Sequence, residues 1–222
     1  MAKHSNKIKA VVFDMDGVLI DTNGLYYQAF SRVLKNKYNI GIDVNEFSQQ
    51  LGKKSEEVME YYFQKYHLLG DPFKLNQEKR EYYRKIFLEE IKPKSGGKVT
   101  VRKLKREFKL ALASSSSKYS INAALGKYSL KSYFDVVVSG QEVRHGKPSP
   151  DVYVEAARRL KVATNNCVAI EDAANGVESA KNAGMYCIAV PDKFTISHDF
   201  SRADLVVDKL SRISVETIKN IS

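Results

Sequence analysis

Two carboxylates one residue apart, in Asp14-Met15-Asp16-Gly17, are the first chemically suggestive feature of this 222-residue chain. On extended backbone, side chains at i and i+2 point the same way, and a following glycine lets the chain turn sharply. Like charges held that close require a cation, a shared proton or solvent. A hard divalent ion such as Mg²⁺ suits an oxygen-only site of this kind; solvated aspartates at an ordinary turn are the alternative. Four consecutive serines, 114–117, offer hydroxyls and backbone N–H groups that either bind a phosphoryl oxygen or cap a helix. Gly146-Lys147-Pro148-Ser149-Pro150 sets a lysine in a proline-stiffened loop, where it neutralises an anion as a point charge or simply meets solvent. Glu171-Asp172 adds two more acids, suited to metal ligation or to helix capping.

The elements that must position these residues share one plan. The short β-branched run 8–13 reads as a buried strand that ends at Asp14. Residues 109–113 form a second strand that ends in the serines, and 136–139, 167–170, 186–190 and 205–207 supply further ones. Helices are predicted over 98–108, 153–160 and 176–183, the last closed by Gly184. Between Asp21 and Pro93 the pattern changes to helices alone. A long one carries Leu25, Ala29, Val33 and Leu34 on one side, and 46–51, 56–66 and 77–91 follow it. The sequence therefore predicts an α/β protein: a Rossmann-like parallel-sheet core (1–21 and 94–222) interrupted by an all-helical insertion (22–93). The Pro- and Gly-containing stretch 92–97 reads as the return linker. In open α/β sheets ligands bind beyond the carboxyl ends of the strands, where the chemically suggestive stretches fall.

Composition narrows the classes further. A hydrophobic fraction of 43% with 28% charged residues is ordinary for a globular protein and argues against disorder. No apolar run approaches the roughly 18 residues of a membrane span. The polar start MAKHSNKIKA runs straight into a strand and predicts no signal peptide. Two cysteines, Cys167 and Cys187, are too few for a disulfide framework or a zinc site and read as buried thiols of a cytoplasmic protein. The net charge is +10, and residues 94–131 hold ten basic side chains against Glu107 alone. With Val101, Leu104 and Phe108 as the buried stripe of helix 98–108, Arg102, Lys103, Lys105 and Arg106 mostly face water. No stacking aromatics accompany them, so a solvated helix face is expected and a nucleic-acid site is not.

Taken in order, FDMDGVLIDT, LALASSSS, GKPSPDVY and AIEDAANGV resemble the four motifs of the haloacid dehalogenase superfamily of phosphotransferases. The helical insertion resembles the cap of the subfamily that includes β-phosphoglucomutase and many small-molecule phosphatases. The resemblance implies that Asp14 is a nucleophile forming an aspartyl-phosphate and that Asp16 is its general acid and base. It implies Mg²⁺ held by the Asp14 carboxylate, the Asp16 backbone carbonyl and Asp172, with Glu171 nearby or ligating. Ser114 and the N–H groups of Met15, Asp16 and Ser115 would hold phosphoryl oxygens while Lys147 offsets their charge. Dehalogenases of the superfamily lack a second aspartate at the Asp16 position and transport ATPases carry threonine there, so both are disfavoured.

Leu51-Gly52-Lys53-Lys54-Ser55 resembles the family's glycine-centred specificity loop in the cap. β-Phosphoglucomutase has a lysine just before that glycine and an arginine three after it; this chain has Leu51 and Ser55. Where the mutase has a histidine after the first motif, this chain has Tyr26. Lys53 and Lys54 are the remaining candidates for a second grip on substrate. The expectation is a phosphatase for a small phosphorylated sugar or polyol, with mutase activity as the first alternative. A non-catalytic phosphate-binding protein is the second, disfavoured by the joint presence of Asp14, Asp16, Lys147 and Asp172. The expected partners are a small phosphorylated substrate and Mg²⁺, with no nucleic acid and no membrane, in a monomer or weak dimer.

Overall fold

The structure is a computed structural model that describes residues 8–221. The chain opens with β1 (Ala10–Phe13) and the two-residue β2 (Ile20–Asp21). Helices α1 (Asn23–Tyr38), α2 (Val44–Ser48), α3 (Ser55–Lys65) and α4 (Pro72–Glu90) follow, and β3 (Lys92–Pro93) leads back. The rest alternates: α5 (Gly97–Leu104), β4 (Lys109–Ser114), α6 (Lys118–Lys127), β5 (Val136–Ser139), α7 (Asp151–Leu160) and β6 (Cys167–Glu171). It closes with α8 (Ala174–Asn182), β7 (Tyr186–Ala189), β8 (Leu205–Val206) and α9 (Val215–Lys219).

One parallel sheet runs in the order β5–β4–β1–β6–β7–β8. Its central strands are buried on both faces, as helix-covered parallel strands are, and the period of two sorts their side chains by size. Val11, Phe13, Leu112 and Ile170 join Val101, Leu104 and Leu125 from α5 and α6 in one core layer. Ala10, Val12, Ala111, Ala169 and Ala189 face Tyr153, Ala156 and Val177 of α7 and α8 in the other, where small residues admit the helices closely. Cys167 and Cys187 lie in this second layer, both buried and unpaired. Register then aligns the chemistry: Phe13 sits opposite Leu112 on one side and Ile170 on the other, so Asp14, Ala113 and Glu171 come next at a shared edge.

The segment between β2 and β3 packs a core of its own, with Phe30, Leu34, Phe47, Val58, Tyr62 and Leu75 buried together. Two of its helices start earlier than periodicity suggests. The Asp43 carboxylate accepts from the N–H groups of Asn45 (2.8 Å) and Glu46 (3.0 Å), so α2 opens at Val44, and it ends at Ser48 rather than at 51. Asp71 caps α4 through Phe73 N–H (2.8 Å) with Pro72 in the first turn, five residues ahead of the expected 77. The expected absence of strand at the two linkers is also corrected: β2 and β3 pair antiparallel, Ile20 with Pro93 and Asp21 with Lys92. Helix α5 stops at Leu104 rather than 108, although Phe108 still enters the core. Arg102, Lys103 and Arg106 are exposed, and Lys105 pairs with Asp135 at 2.5 Å. Among the described residues no helix is long and apolar enough to cross a membrane.

Candidate active site

Asp14 leaves β1 with its N–H bonded to the Ile170 carbonyl at 3.0 Å, which fixes its place at the sheet edge. Gly17 adopts φ +74°, and a Cβ there would lie 1.9 Å from Asp172 Oδ2; both the turn and the approaching acid require glycine. From the loop after β5, Lys147 Nζ reaches Asp14 Oδ1 and Glu171 Oε1, each at 2.6 Å, and the Ala113 carbonyl at 3.3 Å. The Tyr153 hydroxyl on α7 donates to the same Glu171 oxygen, and the other oxygen accepts the Asp172 N–H at 3.2 Å. All of these side chains are buried.

One oxygen each of Asp14, Glu171 and Asp172 lies within 4.8 Å of the others. Burial, with Glu171 and Asp14 beside it, pushes the Asp172 carboxyl well above the usual carboxylate range. Burial does the same to Asp14 against the pull of Lys147. For Lys147, burial opposes the charge, but the Asp14 and Glu171 carboxylates outweigh it and hold the ammonium above the ordinary lysine value. Three buried acids with one ammonium between two of them offer only oxygen, a donor set that fits a hard divalent cation.

Asp16 stands apart from this trio. Its Oδ1 accepts from Thr22 Oγ1 at 2.7 Å, and its Oδ2 from Ser116 Oγ (2.7 Å) and Ser114 Oγ (3.1 Å). Above Asp14, Asp16, Lys147, Glu171 and Asp172 a cavity of about 450 Å³ opens toward the helical segment. Ser115, Ser116 and Ser117 line it, whereas Ser114 is fully buried behind that wall and accepts the Ser116 N–H at 3.0 Å. Ser117 also caps α6, accepting from Ser120 N–H at 3.2 Å, so both readings of the serine run apply to different members of it. The Met15 side chain is buried in the core.

The sequence profile of the haloacid dehalogenase-like hydrolases matches residues 11–190. The chain belongs to this family. It is 35% identical over 221 residues to a bifunctional riboflavin kinase/FMN phosphatase of Arabidopsis thaliana, a match covering 96% of this chain but 57% of that longer one. It is 32% identical over 179 residues to a phosphorylated carbohydrates phosphatase of Thermotoga maritima, covering 80% and 82% of the two chains. Among solved structures, a β-phosphoglucomutase of Clostridium difficile superposes with a TM-score of 0.81 at 26% identity, covering 96% of each chain.

In this hydrolase the helical segment supplies the cavity's far wall, including Tyr26, Gly52, Lys53, Lys54 and Ser55. Gly52 adopts φ +87°, and its carbonyl accepts from Ser115 Oγ at 2.9 Å. Lys54 Nζ donates to the Val143 and Arg144 carbonyls of the sheet domain, at 3.3 and 3.2 Å, and Lys53 Nζ to Gln50 Oε1 at 3.1 Å. Tyr26 is wedged edge-on against Phe30 and Tyr83, and burial pushes its hydroxyl pKa up.

Sequence reasoning missed Lys79. It is buried in the same wall, its Nζ 2.6 Å from Ser55 Oγ and 4.6 Å from the ring centres of Tyr26 and Phe30. Burial lowers its pKa to about 7. The signal was present, since Leu75, Lys79, Tyr83 and Phe87 are four apart and form one helical stripe. Thr22, Asn23 and Ser116 were missed as well. Thr22 and Ser116 belonged to recognised motifs, whereas Asn23 carried no local signal.

Proposed function

We propose that this hydrolase is a Mg²⁺-dependent phosphatase of a small phosphorylated metabolite, a sugar or polyol phosphate, working through an aspartyl-phosphate at Asp14. The observation that carries the reading is the buried Asp14–Lys147–Glu171 contact, with both Nζ–O distances at 2.6 Å, on the floor of a cavity of about 450 Å³. That volume is in the range of small-ligand sites, about 300–1,000 Å³. Lys147 holds one oxygen of Asp14, orienting the other to attack phosphorus as the bond to the leaving oxygen breaks. Asp16, aimed by three hydroxyls, gives its proton to that leaving oxygen and later takes one from the water that attacks the aspartyl-phosphate. The N–H groups of Met15, Asp16 and Ser115 receive the phosphoryl oxygens, with Ser114, whose hydroxyl is turned to Asp16, behind them. Asp14, the Asp16 carbonyl and Asp172, with Glu171 alongside, would hold Mg²⁺, which would supply charge shielding between the carboxylates and the incoming phosphate.

The helical segment acts as the cap, and its loop favours phosphatase over mutase, although Lys79, Arg80 and Arg84 of α4 line the same cavity. A mutase must keep its grip on a second phosphate while the intermediate turns round. Leu51 and Ser55 provide no cation, and Lys53 and Lys54 are committed to Gln50 and to the Val143 and Arg144 carbonyls. The Thermotoga relative's name, phosphorylated carbohydrates phosphatase, agrees with this substrate class. The test is a panel of phosphorylated sugars and polyols with Mg²⁺, read as inorganic phosphate, with Asp14→Asn alongside. Phosphate release that falls by several orders of magnitude in Asp14→Asn is expected, because an amide is a poor nucleophile. An Asp14→Asn protein keeping a tenth of the turnover would reject the covalent step. Isomerisation of β-glucose 1-phosphate outrunning its hydrolysis tenfold would reject the phosphatase reading.

A further inference from the structure

The first residue of α1, Asn23, is buried, and its amide links two acids distant in sequence. Its Nδ2 is 2.8 Å from Asp172 Oδ2 and 3.0 Å from Asp192 Oδ2. Carboxylates only accept, so the atom between them must be the amide nitrogen, with one N–H directed to each. We propose that Asn23, locked by Asp192, is the positioning residue of the metal site and sets the orientation in which Asp172 meets the ion. This rests on the Mg²⁺ site of the preceding section.

Three features support the assignment. Asp192 is itself immobilised: its Oδ1 accepts the Phe194 N–H at 2.8 Å, and its own N–H donates to Thr195 Oγ1 at 3.0 Å. An anchor held by its own backbone turn can hold Asn23 in turn. Second, the chemistry suits asparagine specifically. A neutral group with two donors can restrain a ligand carboxylate without placing a positive charge beside a cation, whereas a serine has one donor and a lysine repels the ion. Third, the space is built around this contact. A Cβ at Gly17 would fall 1.9 Å from Asp172 Oδ2 and 2.6 Å from Asn23 Nδ2, so the motif glycine leaves room for both partners of the bond.

The placement also has a mechanical side. Asn23 follows β2, the outgoing crossing to the helical segment, and Lys94 follows β3, the returning one. Lys94 Nζ is 3.5 Å from the same Asp192 oxygen. Asp192 therefore ties both crossings to the sheet domain directly beneath the metal-site acid. Thr22, next to Asn23, holds Asp16 at 2.7 Å. Consecutive residues of one crossing thus each orient a different functional carboxylate.

The test measures Mg²⁺ binding by titration calorimetry in the absence of substrate, on wild type, Asn23→Leu, Asn23→Ala and Thr22→Val. Partners that orient metal ligands typically change metal affinity about 10–100-fold when removed. Asn23→Leu, neutral and of similar volume, is expected to raise the dissociation constant by at least tenfold, with Asn23→Ala giving the same direction should the leucine variant not fold. Thr22→Val, which loosens the same crossing but touches Asp16 alone, is expected to stay within twofold of wild type. At saturating Mg²⁺ the Asn23 variants should recover most of their turnover, which a general loss of structure would not allow. A dissociation constant within twofold of wild type in the folded Asn23 variants overturns the proposal, as does an equal loss in Thr22→Val. A wild-type protein that binds no Mg²⁺ overturns the metal site itself, and this inference with it.

Discussion

Replacing Lys79 with methionine should make the protein more stable and less active. The lysine is buried, its pKa lowered to about 7 from 10.5, and its direct polar partner is the Ser55 hydroxyl. At about 1.36 kcal/mol per pKa unit, keeping the charge in the folded state costs about 5 kcal/mol. The Tyr26 and Phe30 rings, each 4.6 Å from Nζ, return part of this, ~1–2 kcal/mol for a desolvated cation–π pair. Methionine fills the same stem but loses the bond to Ser55, worth ~1 kcal/mol. The net gain is then about 2 kcal/mol near neutral pH, or ~4–8 °C in melting temperature for a chain of this size. Between about 7 and 10.5 the unfolded lysine binds a proton that the folded one does not. Wild-type stability therefore rises with pH through that window, and the variant's advantage must shrink and disappear near its upper end. Thermal melts followed by circular dichroism, near pH 6.5 and near pH 10, give both quantities, and phosphate release gives the activity. A variant that melts lower than wild type near pH 6.5, or whose advantage is the same at both pH values, refutes the reasoning. Lys79 lines the cavity of the proposed site, so kcat/KM should fall at least tenfold in the same protein.

Two further outcomes are expected. Chelation should abolish phosphate release and added Mg²⁺ restore it; full activity after verified metal removal would show that the acids of Asp14, Glu171 and Asp172 serve another purpose. Gly17→Ala combines a φ of +74° with a Cβ 1.9 Å from Asp172 Oδ2, so it should lose both activity and several degrees of melting temperature, and a variant that melts and turns over as wild type would contradict the local geometry.

The sheet was legible because its strands are short, apolar, β-branched and punctuated: 136–139 was bounded to the residue, and 8–13, 109–113, 167–170 and 186–190 to within two. The acids and serines at their ends were visible as types, but resemblance rather than spacing assigned them roles. What was lost had specific causes. Strands β2 and β3 are two residues each, below the length at which alternation can be read. The starts of α2 and α4 were marked by Asp43 and by Asp71-Pro72, signals set aside in favour of apolar periodicity. Lys79 is a charged residue at a position that Leu75 and Tyr83 place on the buried side, and a charge there does not register as apolar periodicity. Asn23 had no local signal at all. Its partners lie 149 and 169 residues away, and only the sheet order brings them together.

On the proposed function, the way segment 48–52 docks lets specificity vary while the cavity keeps its far wall. Three of its carbonyls, those of Ser48, Leu51 and Gly52, accept from His198 Nε2, Asn175 Nδ2 and Ser115 Oγ of the sheet domain, each at 2.9 Å. His198 takes the Ala174 N–H on Nδ1 at 3.2 Å, so Nε2 carries the proton that reaches Ser48. Burial lowers the His198 pKa, which favours this neutral form. Carbonyls are present whatever the side chains are. Docking through them leaves positions 51 and 55 free to change without undoing the contact that places the loop over Asp14. On the proposed function, that separation lets a chain keep the acids of the four motifs while carrying Leu51 and Ser55 at the positions where the resemblance to β-phosphoglucomutase implies two cations. Backbone carbonyls carry this docking together with the Lys54 side chain, which donates to the Val143 and Arg144 carbonyls.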